Sequence, residues 1–240
     1  MVTDIKKVKE VTKSMFDLIP LREAITENPL FPSHTFTNSS IVCIGGSIIN
    51  LMEEPDKIDV YRDEIFKLID SADSLIFLMM IVNKPYMLLW FKLIHRYLNP
   101  EDYGMLLREV WIHSEYPNTD VNVPVEECIQ FFKHADIEQV MEQDDKRYYD
   151  SLPDVVTVWR GVTRGKNPYG ISYTLDKDKA IWFKNRFSNP EQPGILIELE
   201  VPKKDILAYI DSRNEKEVII NISKYRQDLE QLVAIGKEVI

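Results

Sequence analysis

Residues 155–220 contain the segments VVTVWRG (155–161), GISYTLD (170–176) and NEKEVII (214–220), and these segments decide the fold. Each is short, rich in β-branched residues and bounded by Gly, Pro or Asn, which is typical of a β-strand. Polar side chains lie within each predicted strand or at its end. We therefore expect one sheet whose cleft holds an arginine, two hydroxyl groups and two carboxylates.

The two carboxylates belong to Glu215 and Glu217. Residues two apart on a strand project to the same face, separated by roughly 6.6 Å. Two like charges held this close are unfavourable unless a cation or a substrate lies between them, so the pair indicates a site. The alternative is a solvated edge strand with two surface glutamates. Both groups approach from one side, which disfavours a conventional glycosidase.

The arginine is Arg160, predicted at a strand end just before Gly161, where a ligand can approach the backbone. A guanidinium there can make a forked contact with a phosphate. Basic residues exceed acidic ones from 160 to 186, which suits an anionic ligand. They are Arg160, Arg164, Lys166, Lys177, Lys179, Lys184 and Arg186. The alternatives are a structural salt bridge for Arg160 and a solvated helix face for the others.

The hydroxyl groups belong to Ser172 and Thr174, which share one face of a predicted strand with Tyr173 opposite. They are placed to orient a neighbouring carboxylate or to bond a ribose. Neither has a histidine nearby in sequence, which disfavours a hydrolase triad. The four histidines also lack metal-ligand spacing. They are His34, His95, His113 and His134.

The remaining elements of the second half follow from periodicity. A helix after residue 176 places Phe183 and Phe187 on one face, where they are expected to pack on the sheet. In 195–201 the apolar residues Ile195, Ile197, Leu199 and Val201 alternate with Leu196, Glu198 and Glu200, which predicts a half-buried strand. Residues 205–210 are a further short element.

The first half is predicted to be mostly helical, and its aromatic and methionine residues are predicted to form a core. These core residues include Met79, Met80, Trp90, Phe91 and Trp111. The predicted helices are 5–19, 59–69, 75–82, 85–97, 100–113, 124–133 and 137–148. Residues 41–52 fit either a buried helix or a strand and turn, with close packing as the expected reason for Gly45-Gly46. We therefore divide the chain into a helical domain, 1–150, and a β-rich domain, 151–240.

Composition narrows the function classes. The 240 residues carry a net charge of −10, which disfavours non-specific binding to nucleic acid or to an anionic membrane. Cys43 and Cys128 are expected to be buried thiols in a reducing compartment. The first ten residues predict no secretory signal. Residues 75–94 are broken at 83–85 and carry Lys92, so we expect two buried helices and a cytosolic protein.

Taken in order, the three segments resemble the mono-ADP-ribosyltransferases of the arginine–serine–glutamate class, over roughly residues 152–222. Arg160-Gly161 matches the first-strand arginine, Ser172-Tyr173-Thr174 the Ser-x-Thr strand, and Glu215-Lys216-Glu217 the Glu-x-Glu strand. The following helix, with Ala180, Trp182, Phe183 and Phe187, also looks like that of the family. Residues 111–154 look similar to the helical lead-in of phage and bacterial proteins of this kind.

The resemblance implies an α+β protein in which a helical amino-terminal half packs on a split β-sheet transferase domain. It implies NAD as co-substrate and no metal. Arg160 would hold the phosphate and ribose, and the Gly161 backbone would contact the nicotinamide amide. Ser172 would brace Glu217, and Thr174 would support the strand. Phe183 is expected among the residues that contact NAD.

The resemblance also implies a separate catalytic role for each of the two glutamates. Glu217 would bond the nicotinamide ribose and stabilise the positive charge that develops as nicotinamide leaves. A guanidinium is essentially always protonated, so Glu215 would take its proton during attack, which favours an arginine acceptor. Residues 209–214 would contact the target protein.

The expected activity is therefore transfer of ADP-ribose from NAD to arginine on a target protein. Two alternatives stay open. One keeps the cleft but changes the acceptor to water, a nucleic acid or a small molecule. The other is a catalytically silent module that binds a partner protein and leaves an apolar patch on the helical half.

Overall fold

The computed structural model describes residues 2–187 and 193–231. The chain separates into two compact units, Met1–Tyr116 and Pro117–Ile240. This boundary precedes the one expected near residue 150, because the helices between residues 125 and 151 pack on a strand of the second unit. Parts of the expected second domain, 188–192 and 232–240, lie outside the described residues. The chain is a mixed α+β protein whose larger sheet lies in its C-terminal half.

The first unit is mainly helical, as its periodicity predicts. Side-chain caps mark several helix starts: Asp4 accepts a hydrogen bond from Lys7 N, and Asn99 from Asp102 N. The elements are α1 Ile5–Ser14, α2 Leu21–Glu27, β1 Ile41–Ile44, β2 Ser47–Asn50, α3 Ile58–Ser71, α4 Leu75–Ile81, α5 Met87–Ile94 and α6 Pro100–His113.

The core of the first unit contains most of the residues predicted for it. Trp90, Phe91 and Trp111 are fully buried, and Met79 is 1% exposed. The prediction is wrong for Met80, which is 69% exposed. Helix α4 buries positions 75, 78 and 79, so the next residue falls outside its narrow buried stripe.

Residues 41–52 form the strand-and-turn alternative, a β1–β2 hairpin. Gly45 and Gly46 have φ of +56° and +81°, and a Cβ at either would meet nothing within 4 Å. The glycines therefore serve the turn backbone, and the expected close packing is wrong. Cys43 is exposed, which corrects the prediction of burial, because the alternate position Val42 points inward. Cys128 is buried as expected.

No single helix among the described residues is both long and apolar enough to cross a bilayer. The segments Leu75–Ile81 and Lys84–Tyr97 are long and apolar enough for a membrane span only when they are taken together, and the chain bends by 118° between them.

The second unit places the three motif segments on adjacent strands. In its described part the order of the five-stranded sheet is β5-β3-β4-β7-β6, and neighbours are antiparallel. The elements are α7 Val125–His134, α8 Ile137–Val140, α9 Gln143–Ser151, β3 Val155–Val162, β4 Ser172–Thr174, α10 Lys177–Asn185, β5 Ile195–Pro202, β6 Ile206–Ile210 and β7 Glu217–Ile220.

Several boundaries differ from the predicted ones. Strand β3 continues two residues past Arg160, so this arginine lies inside the strand rather than at its end. The predicted helix 137–148 divides into α8 and α9. Helix α10 ends at Asn185, so Phe187 lies beyond the predicted face and is 73% exposed. The alternation predicted for β5 is confirmed, with Ile197, Leu199 and Val201 buried and the glutamates exposed.

Helix α10 packs on β3 at Gly161, and this contact leads to a stability prediction. A Cβ at this position would lie 1.8 Å from Ala180 O and 2.5 Å from Lys184 N. Backbone atoms cannot rotate away, so α10 has to shift. We expect Gly161→Ala to lower the free energy of unfolding by about 3 kcal/mol, measured by urea titration.

Gly165→Ala is the matched control, since Gly165 lies in a turn with φ +78° and open space around it. Its left-handed backbone makes alanine less favourable by about 1 kcal/mol. Equal losses in the two variants would contradict the packing explanation for Gly161.

Candidate functional site

Glu217 is the most deeply buried acidic group of the site. It begins β7, where it pairs with Thr174 on one side and Ile210 on the other, and it is 4% exposed. Its Oε1 accepts a hydrogen bond from Ser172 Oγ at 2.5 Å, and its Oε2 lies 3.2 Å from Arg213 Nη2. A carboxylate buried in this way is held by a hydroxyl and by an opposite charge.

Glu215 lies just ahead of β7, and the alternation expected from a single strand is wrong here. Asn214 and Lys216 have φ of 52° and 43°, so the chain turns at this point instead of continuing as a strand. Thr174 Oγ1 donates to Glu215 O at 2.6 Å, which fixes the backbone of the turn. Asp211 Oδ1 accepts from Lys216 N at 2.8 Å and closes it.

The turn nevertheless brings the two carboxylates to one place. Arg213 Nη2 lies 3.1 Å from Glu215 Oε2 and 3.2 Å from Glu217 Oε2. The same guanidinium nitrogen thus bridges both groups and offsets their mutual repulsion. Burial raises the pKa of the Glu215 carboxyl above its usual range. The charge of Arg213 opposes that shift, and the charge of Glu217 adds to it.

Arg160 lies on β3, which β4 separates from β7 in the sheet. Its Nη1 donates to Ser172 O at 2.7 Å, and its Nη2 reaches Asn167 O at 3.5 Å. Burial lowers the pKa of this guanidinium, while Tyr173 and Glu217 act in the opposite direction. The group stays charged in a protein, so it is a partly enclosed positive charge beside a buried carboxylate.

Two residues that the sequence patterns do not single out hold Arg160 and β4 in place. A Cβ at Gly170 would lie 2.4 Å from Arg160 Nη2 and 2.6 Å from Asn118 Oδ1, so a larger residue here would require the ends of these two side chains to move. Asn118 Oδ1 accepts from Ile171 N at 2.7 Å and from Ser172 N at 3.2 Å. No sequence pattern marks Gly170 or Asn118, because each acts on residues that are not its neighbours in the chain.

The predicted ligand-facing residues of α10 divide into two groups. Phe183 is half-buried, with its ring 5.0 Å from that of Trp182, and its carbonyl accepts from Thr163. The charges of Lys179 and Arg186 also oppose the rise that burial causes in the pKa of the Glu215 carboxyl. The positive charge predicted for 160–186 therefore reaches the site partly through α10.

Two predicted contacts take a different form in the structure. The space beside Gly161 is filled by the α10 backbone, so helix packing accounts for this glycine. Residues 209–214 are not one exposed loop, because Tyr209 and Ile210 are each 2% exposed within β6. The exposed part of the segment is the turn that carries Arg213.

The site consists of carboxylates, hydroxyls and guanidinium groups. The described residues contain no group of three or more His, Cys, Asp or Glu side chains able to hold a metal ion. The chemistry available to these side chains is stabilisation of a positive charge by Glu217 and acceptance of a proton by Glu215.

No family model, curated protein or solved structure matches this chain. The resemblance of the three strand segments is not tested by these comparisons and stays a prediction. The interpretation of the site therefore rests on its residues and their geometry.

Proposed function

We propose that this protein transfers ADP-ribose from NAD to the guanidinium group of an arginine on a target protein. The observation that carries the proposal is a guanidinium nitrogen held 3.1 Å and 3.2 Å from two adjacent carboxylates, one of them buried. A site that accommodates one arginine side chain in this way has the charge and spacing to receive another.

We also propose that strands β3–β7 with α10 form an ADP-ribosyltransferase-like domain. The segments that resemble the family lie on β3, β4 and β7, which are neighbours in the sheet. Antiparallel pairing sets Thr174 opposite both Trp159 and Glu217, so residues far apart in sequence meet in one cleft. This adjacency is what a shared ligand site requires.

The residues around Arg160 fit the anionic part of a dinucleotide. Arg160 Nε is buried without a hydrogen-bond partner in the described part of the chain, and Nη2 has only the 3.5 Å contact with Asn167 O. A phosphate or ribose oxygen would give Nη2 a stronger partner than this long contact. Ser172 and Phe183 would complete this side of the NAD site, and Thr174 would support it through its hydrogen bond to Glu215 O.

NAD supplies a nicotinamide that leaves with the electron pair of its bond to ribose C1′. Glu217 stabilises the positive charge on the ribose as that bond breaks. The acceptor nitrogen forms the new bond to C1′, and Glu215 accepts the proton that the guanidinium releases. The products are ADP-ribosyl arginine, nicotinamide and one proton, so atoms and charge balance.

The direct test is incubation of the purified protein with NAD labelled in its ADP-ribose part, with and without a small guanidino compound. We expect nicotinamide release and a labelled guanidino adduct. Free labelled ADP-ribose without any adduct would assign water as the acceptor. No nicotinamide release with either mixture would contradict the proposal and favour the partner-binding alternative.

A further inference from the structure

The contacts of Arg213 differ from those of an ordinary surface ion pair. Its guanidinium offers several N–H donors, yet Nη2 contacts both Glu215 and Glu217. The side chain of Glu217 is 5% exposed and that of Glu215 is 23% exposed, whereas that of Arg213 is 43% exposed. An arginine from the surface thus reaches into a partly enclosed carboxylate pair.

The turn that carries Arg213 is built to hold this position. Asn214 N donates to Asp211 O at 2.9 Å, and Lys216 N donates to Asp211 Oδ1. Asn214 and Lys216 have positive φ. Asparagine adopts this left-handed backbone readily, whereas lysine does so only where the surroundings hold it there. The backbone therefore presents Arg213 to the carboxylates.

We propose that Arg213 occupies the acceptor position and is itself an ADP-ribosylation site of this protein, modified within the same molecule. This inference rests on the proposed function. The bond between ribose C1′ and nicotinamide breaks with its electron pair leaving on nicotinamide. Arg213 Nη2 forms the new bond to C1′, and its proton passes to Glu215.

Two features of self-modification follow from this geometry. The adduct carries two phosphate charges, which the paired carboxylates repel, so the modified side chain has to leave the space between them. Arg213 itself is therefore modified only once. The rate is independent of protein concentration, because donor site and acceptor belong to one molecule.

The test uses the full chain with labelled NAD and no other protein, followed by peptide mass spectrometry. We expect label on Arg213 to exceed that on Arg226 by about tenfold or more, because position and not exposure selects the acceptor. Arg226 is the matched comparison, since its side chain is 66% exposed and its ion pairs with Glu126 and Glu230 are longer, at 3.7 Å and 3.9 Å. Arg226→Lys should leave the labelling unchanged, and Arg213→Lys should abolish it.

A second measurement needs no NAD. An arginine-selective dicarbonyl reagent should modify Arg213 several-fold faster in Glu215→Gln than in the wild-type chain, because the variant removes the negative charge that Glu215 holds 3.1 Å from Nη2. An unchanged rate would overturn the assigned position of Arg213.

The outcomes separate this inference from the proposed function. Nicotinamide release and labelling of a guanidino compound, with no label on Arg213, overturn the self-modification and leave the proposed function standing. If Arg226 is labelled as strongly as Arg213, solvent exposure of the side chain selects the acceptor, and the self-modification inference is also overturned. If no nicotinamide is released, both the inference and the proposed function fail.

Discussion

Glu217→Gln is expected to lower the rate of nicotinamide release by a factor of about 10² to 10³. The carboxylate is 4% exposed and accepts a hydrogen bond from Ser172, so its charge acts at short range and with little screening by water. Glutamine keeps the size of the side chain and an oxygen that can accept from Ser172, but it removes the charge. The loss is thus assigned to charge and not to shape.

The measurement is nicotinamide release under single-turnover conditions, beside Glu200→Gln. Glu200 is an exposed strand glutamate on β5, paired with Thr157, and its replacement should leave the rate unchanged. A Glu217→Gln variant with full activity would contradict both the role of this residue and the proposed reaction.

Glu215→Gln is expected to separate two activities. Transfer to a guanidino compound should fall by about 10²-fold, because the variant cannot accept the proton that the acceptor must lose. Nicotinamide release to water should fall much less, since water needs no proton removed from a guanidinium. Both products are measured in one reaction by chromatography of the labelled ADP-ribose.

The pH dependence gives an independent check on Glu215. Burial raises the pKa of its carboxyl, so the group binds its proton at a higher pH than an ordinary glutamate does. Transfer requires the ionised form and should therefore decline on the acidic side at a pH above the usual range of glutamate. In Glu215→Gln this acidic limb should disappear from the transfer activity that remains. Equal losses of transfer and hydrolysis in that variant would assign Glu215 to the step that both share.

The sheet could be predicted from the sequence because its signal is local. Alternation along 195–201 reports which side of β5 is buried, and β-branched residues mark 155–162 as a strand. The order of the strands is not local, and no pattern in the sequence predicts it. Residues two apart on β4 share a face, which is why the hydroxyls of Ser172 and Thr174 both meet the turn and strand of the glutamates.

The site differs from its prediction where the backbone leaves a regular period. Alternation of residue types placed Glu215 and Glu217 on one strand, but it carries no information about φ. The positive φ values at Asn214 and Lys216 turn the chain before β7 begins. The prediction of a cation or a substrate between the carboxylates depended on charge alone. It did not identify Arg213, because that contact is set by the turn.

Glycine shows the same limit, because one residue type serves several physical purposes. At Gly45 and Gly46 the backbone has positive φ, whereas at Gly161 a helix approaches, and at Gly170 a guanidinium does. The residues next to these glycines in the sequence do not reveal which purpose each one serves. Only the neighbours in space distinguish a turn from a close approach.

The hydrogen bond from Ser172 to Glu217 joins residues 45 positions apart in the chain. Contacts of this kind form only after a long loop has closed, which makes their appearance slow relative to local helices. During refolding, helical structure should therefore return before the bond that orients Glu217. Under the proposed function, recovery of nicotinamide release would report the time at which β4 and β7 pair, and a chain in which they have not yet paired would have its helices without the assembled site.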